Sequence, residues 1–263
     1  MTPRRGETGA VVLAGGGSRR MGTSKALLDW HGAPLVARVA GLLARVADPV
    51  VIVAGNGQPL PEVPGAAVAI DAEPERGPLE GIAAGLRALE GRCDRVFVAA
   101  TDQPLLHPAF VLAVVESLAG FEAAVPESDG RLHPLAAAYR PSMLARAEQL
   151  LAAGERRATA LAAQPGTRRV PAADLPHPES LRNANTPRDF AELLLEEPRV
   201  HVDGEPVLAS YVGTLLDRLG PLPAGAALML GADRVDGDRG LPLAEGDVLS
   251  VVPQGRERSA SRT

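Results

Sequence analysis

Cysteine is almost missing from this 263-residue chain: Cys93 stands alone. That excludes an internal disulfide and a cysteine-based metal cage, and fits a reducing cytoplasm. Aromatic residues make up only 3% against 46% hydrophobic residues overall, so a core has to be built from Ala, Val and Leu. There is no excess of positive charge. Lys and Arg number 27 against 32 Asp and Glu, a formal net charge of −5, which gives no general electrostatic reason to expect nucleic acid or an acidic membrane as partner. No segment approaches the roughly 18 consecutive apolar residues of a membrane helix. The opening "MTPRRGETG" lacks the apolar region of a signal peptide.

What the chain does have is 28 Gly and 24 Pro, in a length that suits one large domain and one small one. "AVVLA" (Ala10 to Ala14), "PVVIVAGN", "AAVAI" before Asp71 and "RVFVAA" (Arg95 to Ala100) read as strands, each nearly continuously apolar. "PLVARVAGLLARVA", with Pro34 placed for a first helical turn, and "GPLEGIAAGLRAL" read as the helices between them. This alternation predicts an α/β domain whose parallel sheet is covered on both faces, with its ligand beyond the carboxyl ends of the strands. Gly15 to Gly17, Asp71, Thr101 and Asp102 all follow a strand directly, so they should share one crevice. Further on, "EAAVP", "PLAAAY", a helix from about Pro141, "GERRATALAA" and "TRRVP" extend the domain. "RNANTPRDFAELLLEE" closes it, with Thr186 as N-cap, Pro187 at the first helical position and Asp189 completing a capping box.

The most informative stretch is "VVLAGGGSRRMGTSK", Val11 to Lys25. A strand that opens into bare glycines lets backbone N–H groups approach an anion, and the cations that follow can neutralise phosphate. The segment matches neither G-x-G-x-x-G nor the G-K-[ST] of a P-loop. It does resemble, together with "GAPL", "IDAEPERGPLEGIAAGL", "VFVAATDQPLL", "GRLHPLAAAYR", "AGERR" and "RNANTPRDF", the spaced motifs of the molybdenum cofactor guanylyltransferases. The likeness runs from about Val11 to Leu194 in the family's order.

That resemblance implies a Rossmann-like nucleotidyltransferase domain with a mostly parallel sheet. By position, Leu13, Ala14, Gly15 and Gly16 lie against guanine and ribose, Arg20 and Lys25 bind the triphosphate, and Asp102 holds Mg2+. Asp71 contacts the nucleotide, and Asn183 and Asn185, two apart on an extended segment and so facing one way, offer their amides to the pterin. His133 belongs to a family motif near the pterin, although a lone histidine is more often structural. Arg19 falls at a variable position and reads as a solvated cation, and Ser24 stands where many relatives carry aspartate. The implied reaction joins GTP to molybdopterin, or Mo-molybdopterin, with release of pyrophosphate. It needs positioning and charge neutralisation, and no catalytic Ser, Cys or His.

Three features bear on the base. Gly15 stands where the cytidylyl relatives usually have alanine, leaving room for a purine, and "GPLEG" also leans to GTP, whereas "TDQP" leans to CTP. The base contact outweighs the residue beside the metal, so GTP is favoured, with a cytidylyltransferase as the alternative. After the acidic "LEEPRV" the pattern changes: "RVHVDGEPV", "ASYVGTLLDRLG", "AALMLGADRVDGD" and "LPLAEGDVLSVV" describe a small α+β module resembling a β-grasp sulfur carrier. Carriers of that type end in Gly-Gly. Here the chain passes only Gly255, so the module is expected to dock to other molybdenum cofactor biosynthesis proteins or dimerise, or simply to cover an edge of the first domain. The expected organisation is residues 1–197, 198–255 and a disordered tail, 256–263. A third reading is a scaffold without catalysis, working through this module.

Overall fold

The computed structural model describes residues 7–15, 24–71 and 77–253. Gly16, Gly17, Arg19, Arg20 and the expected tail at 256–263 lie outside these residues. The chain divides into two compact units, Met1–Leu194 and Leu195–Thr263.

The first unit opens with β1 (Thr8–Leu13), buried along its whole length. A two-rung hairpin of β2 (Asp29–Trp30) and β3 (Ala33–Pro34) leads into α1 (Leu35–Ala44). Pro34 therefore ends the hairpin and takes the N-cap position rather than the first turn of the helix. Then come β4 (Val50–Gly55), β5 (Ala66–Asp71), α2 (Pro78–Ala88), β6 (Arg95–Ala100) and α3 (Pro108–Glu116). The unit continues with β7 (Ala123–Ser128), β8 (Arg131–Leu132), β9 (Ala136–Tyr139), α4 (Met143–Ala152), α5 (Ala158–Ala162), β10 (Thr167–Pro171) and α6 (Pro187–Leu194).

One sheet of order β10-β7-β9-β6-β1-β4-β5 carries the unit, with β8 paired to β7. β6, β1, β4 and β5 are mutually parallel, as are β10 and β7. β9 runs antiparallel to both of its neighbours, so the sheet is mostly and not wholly parallel. β9 enters by way of a hairpin off β7, and a short return of that kind reverses direction where a crossover helix would keep it.

Local chemistry fixes the helix ends. Gly77 has φ +82°, a conformation few side-chain-bearing residues adopt, and an added Cβ would lie 2.9 Å from the Arg156 carbonyl oxygen. Pro78 follows at the start of α2, where its missing N–H is no loss. α6 has the expected capping box: Asp189 N–H donates to Thr186 Oγ1 at 3.1 Å, and Thr186 N–H to Asp189 Oδ2 at 2.9 Å.

α2 packs tightly on β1. Its faces supply Leu79, Ile82, Ala83 and Leu86 to a core shared with Val11, Leu13, Val51, Val53, Val96 and Val98, reinforced by Tyr139, Met143 and Leu161. Cys93 is part of that core, and burial pushes its thiol above the ordinary range, as suits a packed, unreactive residue.

The second unit pairs β11 (Arg199–Val202) with β12 (Glu205–Leu208), crosses through α7 (Val212–Leu219), and returns in β13 (Ala226–Leu230), β14 (Asp233–Arg234) and β15 (Val248–Pro253). Its sheet order is β12-β11-β15-β13-β14, with the first and last strands side by side and parallel. α7 covers one face, burying Val212 and Leu215 with Val200, Val202, Leu228 and Leu249. Among the described residues, no helix is long and apolar enough to cross a membrane.

The closeness of α2 to β1 is testable at Gly85, where an added Cβ would stand 2.6 Å and 2.7 Å from the two methyl groups of Val11. Alanine is the better helix former by about 1 kcal/mol, yet Gly85→Ala is expected to lower stability by about 1–3 kcal/mol through overpacking against a stiff β-branched side chain. Urea denaturation of the two proteins measures the difference.

Candidate active site

β1 and β6 lie next to each other at the point where the chain, having built β4 and β5 on one side of β1, crosses to the other. In open α/β sheets that is where a crevice opens beyond the strand ends. The two ends are tied together there. Leu13 C=O accepts both the backbone N–H of Thr101 at 3.2 Å and its hydroxyl at 2.9 Å.

Asp102 follows immediately. Its Oδ2 lies 2.7 Å from Lys25 Nζ, with side-chain exposures of 15% and 23%. Its Oδ1 is buried and has no hydrogen-bond partner among the described residues. Lys25 opens a single 3-10 turn, Lys25–Leu27, anchored by buried Ala26. Lys25 and Asp102 stand 77 residues apart in the sequence, and the fold makes them one ion pair.

The loop carrying Asp102 is held at almost every residue. Asp102 C=O accepts from Ala184 N–H at 2.9 Å. The Gln103 side chain, 2% exposed, accepts from Ala100 N–H at 3.0 Å. Pro104 C=O accepts from Nε of Arg38 at 2.7 Å, a buried arginine of α1 whose guanidinium carbon sits 5.6 Å from the Trp30 ring centroid. Ser180 Oγ donates to Leu105 C=O at 3.5 Å and accepts from His107 N–H at 3.1 Å, and the His107 and His177 rings stack at 3.5 Å. A carboxylate so mounted keeps its direction when charge arrives.

On the other side of β1, Ala14 N–H donates to Val53 C=O at 2.8 Å. Gln58 then bridges the two strands: its Nε2 donates to Ala14 C=O at 2.8 Å, and its Oε1 accepts from Gly55 N–H at 3.1 Å. Gly15 is exposed at this edge. Among the described residues, the nearest atom to a Cβ there would be Gly55 N at 3.6 Å, an ordinary contact, so these neighbours do not require the position bare. Asp71, 5% exposed, ends β5 in register with Gly55, one strand further out.

Leu13, Ala14, Gly15, Lys25, Asp71 and Asp102 therefore all lie at the carboxyl ends of β1, β5 and β6 or in the turn beside them. Asn183 is next to the residue that binds Asp102 C=O, and its Oδ1 is buried and without a partner among the described residues. Asn185 differs. Its N–H folds back to Asn183 C=O at 3.1 Å and its side chain is exposed, so the segment turns instead of running extended and the two amides are not equivalent. His133 sits in the β7–β8 hairpin with Nε2 2.7 Å from Ser128 Oγ, a local bond that accounts for it. Arg38, Gln58, Gln103 and Ser180 are site residues that the sequence does not announce. The one cue is the "GNGQP" turn after an apolar strand, a pattern shared by many ordinary turns.

Among the described residues, no three of His, Cys, Asp and Glu come together to hold a metal. A divalent cation at Asp102 Oδ1 would therefore share one carboxylate with phosphate oxygens and water. Mg2+ favours that kind of site, and a buried, unpartnered carboxylate oxygen suits it.

His133 provides a pH test. Burial, and then the charge of Arg131, hold its ring below the usual imidazole value, so the unfolded chain binds a proton more readily. Stability is full above about pH 6.5 and falls as the pH drops towards the folded-state value. Thermal midpoints at pH 7.5 and 5.5 are expected to differ more in the wild type than in His133→Gln.

A profile of the MobA-like NTP transferase domain matches residues 10–169. A probable molybdenum cofactor guanylyltransferase from Mycobacterium avium is 38% identical over 188 residues, 70% of this chain and 93% of the relative. Its counterpart from Mycobacterium ulcerans is 40% identical over 186 residues, covering 68% and 90%. The crystal structure of molybdopterin-guanine dinucleotide biosynthesis protein A from Archaeoglobus fulgidus superposes with a TM-score of 0.57 at 25% identity, covering 70% of this chain and 95% of that one. The 2-C-methyl-D-erythritol 4-phosphate cytidylyltransferase of Thermus thermophilus, at 19% identity, a TM-score of 0.55 and coverage of 72% and 100%, shares the fold alone. A glycine-edged strand end, a lysine paired to an aspartate at the switch point and this span of sequence identity all lead to one assignment: the chain belongs to the MobA-like NTP transferase family and is a nucleotidyltransferase of Rossmann-like fold.

Proposed function

We propose that the protein transfers the guanylyl group of GTP to the terminal phosphate of molybdopterin, or Mo-molybdopterin, forming the guanine dinucleotide cofactor. The observation that carries this reading is the Lys25–Asp102 pair, with one carboxylate oxygen neutralised by the ammonium and the other buried and without a partner among the described residues. A phosphate oxygen of the pterin attacks the α-phosphorus of GTP. A new P–O bond forms, the bond to the bridging oxygen between the α- and β-phosphorus breaks, and pyrophosphate leaves with that oxygen.

Each residue has a role in this scheme. Leu13, Ala14 and Gly15, together with Gly16 outside the described residues, carry the base and ribose, and Asp71 accepts hydrogen bonds from the nucleoside. Lys25 balances phosphate charge as it accumulates, and Arg20, which lies outside the described residues, shares that role. Asp102 would hold Mg2+, which supplies charge neutralisation to the triphosphate. Asn183, with an acceptor oxygen free, suits an N–H of the pterin, while exposed Asn185 offers its amide at the rim. GTP is supported over CTP by the bare backbone of Gly15 where cytidylyl relatives usually carry alanine, and by the naming of the mycobacterial relatives.

The second unit reads as a β-grasp-like module for docking: a hairpin, one helix and parallel first and last strands in a five-stranded sheet. The organisation we propose is catalysis in residues 1–197 and docking in 198–255. The protein would work in the cytoplasm.

Thermal stabilisation by GTP, CTP and ATP with and without Mg2+, followed by turnover with molybdopterin, tests the assignment. GTP is expected to stabilise the protein most, and only with Mg2+ in full. A strong CTP preference overturns the choice of base, and indifference to every nucleotide overturns the activity. Asp102→Asn keeps the shape of the side chain and is expected to lower turnover by on the order of 100-fold or more. Gly15→Ala adds one methyl group at ordinary contact distance, 3.6 Å from Gly55 N, and should shift the GTP-to-CTP ratio of kcat/KM by about tenfold towards CTP.

A further inference from the structure

The bridge made by Gln58 has a regular geometry behind it. In the parallel pairing of β1 with β4, Ala10 N–H donates to Pro49 C=O at 2.9 Å, and four residues on Ala14 N–H donates to Val53 C=O at 2.8 Å. A parallel ladder continues by returning a bond from the residue two further along the partner strand. The next rung would therefore run from Gly55 N–H straight to Ala14 C=O. It does not form. The side-chain amide of Gln58 occupies the gap, taking the Gly55 N–H on Oε1 at 3.1 Å and giving Nε2–H to Ala14 C=O at 2.8 Å. A carboxamide carries the same donor and acceptor as a peptide unit, so the rung is lengthened by one amide and both backbone groups stay satisfied.

Gln58 is itself fixed. The turn Gly55 to Gln58 is closed by Gln58 N–H donating to Gly55 C=O at 3.0 Å, with Gly57 at φ +71° supplying the left-handed corner. The side chain is thus returned to the strand ends by its own backbone. Two consequences follow for β1. Its end is held apart from β4 at the edge of the crevice. Ala14 C=O is turned towards β4, and because C=O and N–H of a trans peptide point in opposite directions, the Gly15 N–H is aimed away from β4.

We infer that Gln58 is a positioning residue for the nucleotide's base, the wedge that sets the width of the β1–β4 exit and the direction of the Ala14–Gly15 peptide. This rests on the reading that the base lies against Leu13 to Gly15. The Gly15 N–H then serves as a fixed backbone donor for a carbonyl oxygen of the base, such as O6 of guanine. The residue acts through the backbone and touches no reacting atom, so its loss weakens nucleotide binding and leaves the chemical step alone.

Two variants test it in the full-length protein. Gln58→Glu keeps the acceptor for Gly55 but removes the donor to Ala14, and Gln58→Met removes both. Kinetics are measured with whichever of GTP, CTP and ATP the wild type uses best, so an error in the base assignment changes the nucleotide in the assay and leaves the role of Gln58 equally open to test. Both variants are expected to raise KM for that nucleotide about tenfold, the scale of one lost specificity contact, with kcat within twofold and KM for molybdopterin unchanged. Unchanged nucleotide KM in a folded variant, an equal rise in both KM values, or a loss confined to kcat overturns the proposal. Should a variant fail to fold, NMR of the wild-type Gln58 side-chain amide decides. Slow exchange of its Nε2 protons with solvent and a shift on adding the nucleotide support the wedge, whereas fast exchange with no response to nucleotide overturns it.

Discussion

The double acceptance at the Leu13 carbonyl oxygen is the constraint on which the site depends. A single oxygen takes both polar hydrogens of Thr101, so the last residue of β1 and the first residue beyond β6 cannot separate. The glycine edge belongs to one of those strands and Asp102 to the other. On the proposed reading, fixing their distance fixes where the base and the phosphates of the nucleotide stand relative to each other. The bonds to Ala184, Arg38 and Ser180 then stiffen the loop from outside, with donors drawn from three separate parts of the chain.

Preorganisation of this kind suits phosphoryl transfer, where little covalent chemistry is asked of the protein and the work is alignment and charge. Two groups that could do covalent chemistry elsewhere are otherwise engaged. Cys93 is sunk in the core under Gly9, at the far end of β1 from the crevice, and the stacked pair His107 and His177 serves to clamp the loop. The ionised groups paired at this switch point are Lys25 and Asp102, joined through one carboxylate oxygen with the other left without a partner among the described residues.

Much of this is legible in the chain itself, for identifiable reasons. β6 spans the six residues of "RVFVAA" because a doubly covered parallel strand has to be apolar throughout and is bounded by polar residues at both ends. The capping box of α6 is local chemistry and follows from spacing alone. α3 is not legible in the sequence because "PAFVLAVVE" is apolar almost throughout and shows no helical stripe. The reversal of β9 is hidden for a related reason, since direction within a sheet depends on the connection and not on the strand. At the site, Asp102 is marked by the strand end that precedes it, and Lys25 by the family resemblance of the glycine-rich stretch. Arg38 and Gln58 are not: a long polar side chain reaching a backbone carbonyl tens of residues away leaves no periodic trace.

The hydrophobic cluster around α2 and β1 shares no residue with the one around α7. Cooperativity in small proteins comes from a common interior, and these two clusters belong to different compact units. A substitution among the residues around α7 therefore loosens the second unit's own interior first, and the cluster around α2 and β1 is built without any of them.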